Sequence, residues 1–432
     1  MQSFIWTDLD AAQRQSALAR PDAISDDALI IDVRRILSEV KTTGDMALRR
    51  LTQRYDGAIL SEFQVPHAEL KAAWESLAIE DQIAIDRASK NIRTFHAAQF
   101  PETIEVETEP GVFCRREVRA IETAGLYVPG GTAPLVSTLL MLAIPAKVAE
   151  VPNRIIVTPP GSDGQVNPII LGAAFRCDVT ALYKVGGAQA IAALAYGTET
   201  IPKCDKIFGP GNAWVAAAKS LVAQESGGPA IDMPAGPSEA MVLADETSDP
   251  EFVASDLLSQ AEHDTVAQVV CVASSQEVAD RVDRTIQGQI LSLSRKDIAA
   301  ESLKFGRMFI AETRDEIIEI VNRYAPEHLI VQLQNPDSYV ADIRHAGSIF
   351  LGPWTPESVG DYASGTNHTL PTYGAARAYS GVTLDSFLKY VSVQKLTKAG
   401  LKNLGPTVER LADMEGLDAH RNAVTLRLEA LQ

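Results

Sequence analysis

The chain has 432 residues, too many for one ordinary hydrophobic core, and 46% of them are hydrophobic with no low-complexity tract. Its formal net charge of −17 argues against nucleic acid and against an anionic membrane surface as partners. No apolar run reaches the roughly 20 residues that span a bilayer. The N-terminus lacks the basic-then-apolar order of a signal peptide, and the four cysteines include no Cys-x-x-Cys pair, so a reducing cytoplasm is expected.

The first hundred residues read as helices. Thr7 is a candidate cap for the first, which Pro21 closes. Ser25 opens the next, with Val33, Ile36, Leu37 and Val40 on one face and Gly44 as its stop. Residues 103–109 and 112–118, joined by Pro110-Gly111, predict a β-hairpin. From Gly125 onward, short apolar strands alternate with Ala-rich helices: strands at 154–157, 181–185 and 206–208, helices at 168–175, 188–196 and 213–221. After the Gly/Pro-rich stretch 232–238 the alternation resumes, with strands at 240–243 and 268–273 and helices at 251–263 and 277–287. Such alternation predicts parallel sheets covered by helices, hence two α/β domains. Near Gly374 the pattern turns helical to the end.

Four places carry residues suited to chemistry. Ile317, Ile320, Val321 and Tyr324 form an apolar helical face that Pro326 ends, because the residue before a proline is pushed out of helical geometry. Glu327 and His328 then stand side by side on a turn, an acid and a near-neutral base suited to proton transfer, although a solvated turn with a capping histidine looks the same. Gln260 and His263 lie three residues apart on a helix and point at one object. Imidazole is the commonest zinc ligand and an amide oxygen a workable one; a polar rim on an amphipathic helix is the alternative. Glu357, Asp361 and His368 crowd a Gly- and Ser-rich loop of the kind that holds function, or simply turns. His420 sits in the last helix in phase with Val424, Leu428 and Leu431, with Glu415 on the turn before it; this small segment must pack elsewhere, and a partner subunit is a candidate. Two glycine turns, at 185–189 and 208–212, enter helices after strands and offer N–H groups to phosphate, yet neither is the Gly-x-Gly-x-x-Gly fingerprint.

Taken together, seven segments resemble the histidinol dehydrogenase family: Gly125-Leu-Tyr-Val-Pro-Gly-Gly131, Val185-Gly-Gly-Ala-Gln-Ala190, Lys206-Ile-Phe-Gly-Pro-Gly-Asn212, Ile231-Asp-Met-Pro-Ala-Gly-Pro-Ser-Glu239, Ser255-Asp-Leu-Leu-Ser-Gln-Ala-Glu-His263, Ala325-Pro-Glu-His328 and Gly416-Leu-Asp-Ala-His420. The resemblance implies a zinc-dependent enzyme that takes L-histidinol to L-histidine with two NAD+, in the last steps of histidine biosynthesis. It implies zinc ligands at Gln260, His263, Asp361 and His420, and a catalytic pair at Glu327 and His328. Substrate contacts would fall at Ser238, Glu357, His368 and Glu415, besides the zinc ligands and His328, and NAD contacts at Tyr127, Gln189 and Asn212. It further implies two parallel-sheet α/β domains resembling the aldehyde dehydrogenase fold. Their expected bounds are a helical segment 1–22, a catalytic domain 23–124 with 236–374, a nucleotide-binding domain 125–235, and a helical tail 375–432 that completes the partner's site in a homodimer. A related dehydrogenase of another small alcohol, such as a sulfonated propanediol, is the competing reading; Glu357, His368 and Glu415 suit imidazole and amine and favour histidinol. A zinc hydrolase is disfavoured by the four-ligand set and by the lack of a His-Glu-x-x-His helix.

Overall fold

A computed structural model of the chain describes residues 1–21, 27–130, 134–233 and 236–431. The predicted cap Ser25, and parts of the motifs at 125–131 and 231–239, lie outside these residues. Two parallel sheets organise the larger of two compact units, Met1–Gln99 with Glu122–Phe387. The first has six strands in the spatial order Gln2–Ile5, Arg307–Ile310, Gln268–Ala273, Glu239–Ala244, His328–Gln332 and Ser348–Leu351. Its inner strands are continuous apolar runs because helices cover both faces. Ala240, Val242 and Ala244 point into one core with Val253 and Leu257, while Met241 and Leu243 point into another with Ile320 and Val321. The second sheet has five strands, Ala181–Lys184, Asn153–Thr158, Thr123–Tyr127, Lys206–Phe208 and Ala230–Ile231.

The expected two-sheet α/β architecture is therefore present, with helices at both ends, and each end also carries a strand. The N-terminal segment is not purely helical: Gln2–Ile5 is an edge strand paired in parallel with Arg307–Ile310, held by Phe4 stacked on Phe309. The helix that follows, Ala11–Ala17, is capped by Asp10 in a capping box with Gln13, and Thr7 is not its cap. The long helix Asp27–Tyr55 does break at Gly44, where φ is 51°, and then continues. Nor is the tail purely helical. Leu388–Leu396 is a strand, antiparallel to Val112–Ala120, which also pairs with Ile104–Glu109. This three-stranded sheet and the helices Lys398–Met414 and Asp418–Glu429 make the second unit, Phe100–Ile121 with Leu388–Gln432. Strand pairing thus joins the predicted hairpin to the tail. Among the described residues, no helix is long and apolar enough to cross a membrane.

Candidate active site

The helix Arg314–Tyr324 begins with a Thr313–Glu316 capping box and ends where Ala325 turns left-handed, at φ 54°, before Pro326. Glu327 and His328 follow at once, and both are buried. His328 is not on a free turn: it is the first residue of a central strand, in register with Ala240 of its neighbour. Glu239 meets both members of the pair through its backbone. Its N–H donates to Glu327 Oε2 at 2.8 Å, and its carbonyl lies 3.1 Å from His328 Nδ1. A carbonyl only accepts, so Nδ1 carries a proton and the neutral ring keeps its lone pair on Nε2.

Nε2 faces Asp361 Oδ1 at 3.4 Å, and both atoms are buried without a hydrogen-bond partner. Asp361 and Glu357 stand on one short helix, Glu357–Tyr362, where the sequence suggested a loop. Pro356 at its N-cap lacks a side-chain acceptor; Asp256, from the helix Pro250–Ala261, supplies one by accepting from the Glu357 backbone N–H. Glu357 Oε1 lies 3.8 Å from His328 Nδ1. Gln260 is fully buried on the helix Pro250–Ala261, and its neighbours assign its amide orientation: the nitrogen donates to Glu357 Oε1 at 2.8 Å and the oxygen accepts from the Glu239 N–H at 3.1 Å, which satisfies both atoms. Val253, Leu257 and Ala261 seat this helix, each large apolar side chain contributing about 1.5–3 kcal/mol by burial. The helix ends at Ala261, two residues sooner than expected, and His263 stands on the turn beyond it, near enough to Asp361 and His328 to feel their charges. His368 hydrogen-bonds the Asp361 carbonyl through Nδ1 at 2.9 Å and Thr138 Oγ1 through Nε2 at 3.2 Å. Thr138 belongs to the apolar helix Val136–Val148, which follows a strand of the five-stranded sheet, so this helix reaches the site through the His368 contact.

The charges are tightly balanced. Burial alone would lower the His328 pKa, but Glu357, Glu327 and Asp361 outweigh it and hold the ring well above its ordinary value. Burial raises Glu327 and pushes Glu357 up to about 8, with the His328 charge opposing both. Asp361 is held low despite its burial, chiefly by His328. Burial lowers His368, with Asp361 opposing. His328, Glu357 and Asp361 each present one donor atom within 4.8 Å of the others, a group able to hold a metal ion. The Gln260 oxygen has a second lone pair beyond the one that meets Glu239.

The expected nucleotide residues gather at the carboxyl ends of the five-stranded sheet. Chain order runs outward from Thr123–Tyr127 on one side and resumes at Lys206–Phe208 on the other, and such a reversal is where ligands settle in open parallel sheets. Tyr127 ends one of these strands, and its hydroxyl accepts from the Gly187 N–H at 3.2 Å. Gln189 is buried in the first turn of the helix Gly187–Tyr196, and Asn212 caps the helix Ala213–Gln224 through the Val215 N–H at 3.2 Å. Gly209 has φ 118°, and a Cβ there would lie 2.1 Å from the Tyr127 carbonyl, so only glycine keeps this crevice open. Ser238 immediately precedes Glu239, and its carbonyl accepts from the Gln268 N–H. Glu415 and His420 belong to the second unit, exposed where its last two helices meet. Sequence reasoning passed over Glu239 and Asp256. Both lie inside quoted motifs, but a buried acid that holds other residues has no spacing signature.

The family model described as Histidinol dehydrogenase matches residues 19–428. The histidinol dehydrogenase of Vibrio parahaemolyticus serotype O3:K6 is 48% identical over 431 residues, covering 100% of this chain and 99% of that protein. The crystal structure of histidinol dehydrogenase from Elizabethkingia anophelis superposes with a TM-score of 0.95 at 45% identity, covering 100% of this chain and 98% of that one. Proline utilization A of Bradyrhizobium japonicum, at 14% identity and a TM-score of 0.50 over 85% of this chain and 46% of its own, shares the fold alone. The family match, the relatives and the close structural neighbour define a dehydrogenase. The chain belongs to the histidinol dehydrogenase family.

Proposed function

We propose that the chain oxidises L-histidinol through L-histidinal to L-histidine, with NAD+ and one zinc ion per subunit. The observation that carries this reading is the His328 ring: Nδ1 is pinned on the Glu239 carbonyl and Nε2 faces the Glu357–Asp361 helix, beside Glu327. A primary alcohol becoming an acid loses two hydrides, so two NAD+ are consumed. His328 Nε2 takes the hydroxyl proton as hydride leaves carbon. Glu327, with Oε2 engaged by the Glu239 N–H, draws a proton from water through its other oxygen and so hydrates the aldehyde; His328 then deprotonates the hydrate. Tyr127, Gln189 and Asn212 bind the nucleotide, which supplies the hydride acceptor.

Gln260, His263, Asp361 and the tail's His420 are the proposed zinc ligands, a nitrogen and oxygen set that suits this metal. The two buried acceptors His328 Nε2 and Asp361 Oδ1, facing one another unpartnered, fit a cation nearby. Bound zinc supplies an anchor for the imidazole and amine nitrogens of histidinol, and a positive charge that offsets the carboxylates otherwise holding His328 protonated. Ser238, Glu357, His368 and Glu415 surround the substrate. We take the working form to be a cytoplasmic homodimer in which His420 and Glu415 come from the tail of the second copy. The exposed Leu411, Met414 and Leu426 on the last two helices, with Leu417 between them, support that pairing.

Steady-state kinetics with L-histidinol, and separately with L-histidinal, test the assignment. His328→Ala should slow both oxidations by about 10²–10⁴-fold, while Glu327→Gln chiefly slows that of the aldehyde. Normal turnover of histidinol by His328→Ala ends it.

A further inference from the structure

The backbone of Glu239 sets both members of the Glu327–His328 pair, and its side chain is itself held with unusual completeness. Glu239 is 1% exposed. Its two carboxylate oxygens accept from the Arg20 guanidinium in a bidentate pair, through Nε and, at 2.9 Å, Nη2. Oε1 also accepts from the Tyr373 N–H at 2.8 Å. Arg20 does more than neutralise this acid. Its Nη2 donates to the Tyr324 carbonyl at 2.8 Å and reaches the Ala325 carbonyl at 3.4 Å, and its plane lies 4.0 Å over the Tyr324 ring. Tyr324 and left-handed Ala325 are the last residues before Pro326-Glu327-His328. One guanidinium therefore ties the strained end of a helix to the start of the neighbouring strand, and the pair sits between the two.

We propose that Arg20 and Glu239 are positioning residues for this reaction. They lock the Glu239 backbone against the dyad, so that Glu327 Oε2 stays on its N–H and His328 stays in the Nδ1–H tautomer with Nε2 free for proton transfer. The inference rests on the role proposed above for His328. A buried ion pair adds little net stability over apolar residues of the same shape, so its use here is registry. The fork of Arg is needed: it spans two carboxylate oxygens and two carbonyls at once, which a lysine ammonium does not.

The test uses the full-length, metal-loaded enzyme and three variants, Arg20→Met, Glu239→Gln and the milder Arg20→Lys. Three quantities are read: kcat and KM for L-histidinol, bound metal, and the imidazole nitrogen spectrum of isotope-labelled histidine, with His328→Ala used to assign the ring. Arg20→Met and Glu239→Gln should lower kcat by about 10–100-fold, the range set by sub-ångström misplacement of reacting groups, with KM and metal content unchanged. Arg20→Lys should recover part of kcat. In the two stronger variants the His328 ring should no longer be a single Nδ1–H tautomer. A kcat within twofold of wild type overturns the clamp, and so does a loss of kcat that only tracks lost metal or lost folded protein. If wild type itself does not turn over histidinol, the functional reading fails. The ring spectrum still decides the clamp in that case, since a His328 tautomer unaltered by Glu239→Gln overturns it.

Discussion

Asp256→Asn isolates the cost of the buried acid that caps the Glu357–Tyr362 helix. Asp256 accepts from Gln332 Nε2 at 2.7 Å and from the Glu357 N–H, and burial still pushes its carboxyl from 3.8 to about 6. The folded protein thus binds this proton more tightly than the unfolded chain does. The stability this carboxyl contributes is fully present below about pH 4 and lost as pH rises through 6. The gap between 3.8 and about 6 is worth about 3 kcal/mol over that window, of which about 1.4 kcal/mol falls between pH 8 and pH 5. Asparagine does not titrate, and whatever hydrogen bonding it loses is the same at both pH values. Urea unfolding of both proteins, with a chelator present, should show the wild-type advantage over the variant larger at pH 5 than at pH 8 by about 1.4 kcal/mol. An equal difference at the two pH values, or a larger one at pH 8, would refute the placement of a desolvated acid under the site.

Withdrawing the proposed zinc should abolish histidinol oxidation and raise the His328 pKa, because Glu357 and Asp361 are then uncompensated; an imidazole titration with and without chelator reads this directly, and an unmoved ring contradicts it. Leu257→Ala, in the fully buried face of the helix that carries Gln260, should cost about 2–5 kcal/mol in chemical unfolding. The proposed exchange of tails has a sharp consequence for mixtures. His420→Ala and His328→Ala, each inactive alone, should regain about a quarter of wild-type activity when unfolded together and refolded as random dimers, since each mixed dimer holds one intact site. No recovery means that each chain builds its site from its own tail.

Much of the fold was legible because its periods are plain. Strands such as Gln268–Ala273 fall at the predicted bounds, since a sheet buried on both faces needs an unbroken apolar run between breakers. Gln2–Ile5 was not legible: four residues carry no period, and the strand exists because Arg307–Ile310 offers it an edge. Leu388–Leu396 did carry a signal, the β-branched and aromatic residues Tyr390, Val391 and Val393, which its polar alternation obscured. At the site, the adjacency of Glu327 and His328 is visible in any reading of the chain, but the partners that give the pair its chemistry are not. Arg20 and Glu239 meet across 219 residues, and Gln332 reaches Asp256 across 76. Each looks like an ordinary polar residue until the sheet order makes them neighbours.

The most direct measurement is the ratio of nucleotide reduced to alcohol consumed when the purified, zinc-loaded chain meets a limiting amount of L-histidinol. Two NADH and one L-histidine per histidinol are expected, with no aldehyde left over. A single NADH with histidinal accumulating, or none at all, would contradict a site in which one imidazole serves both oxidations.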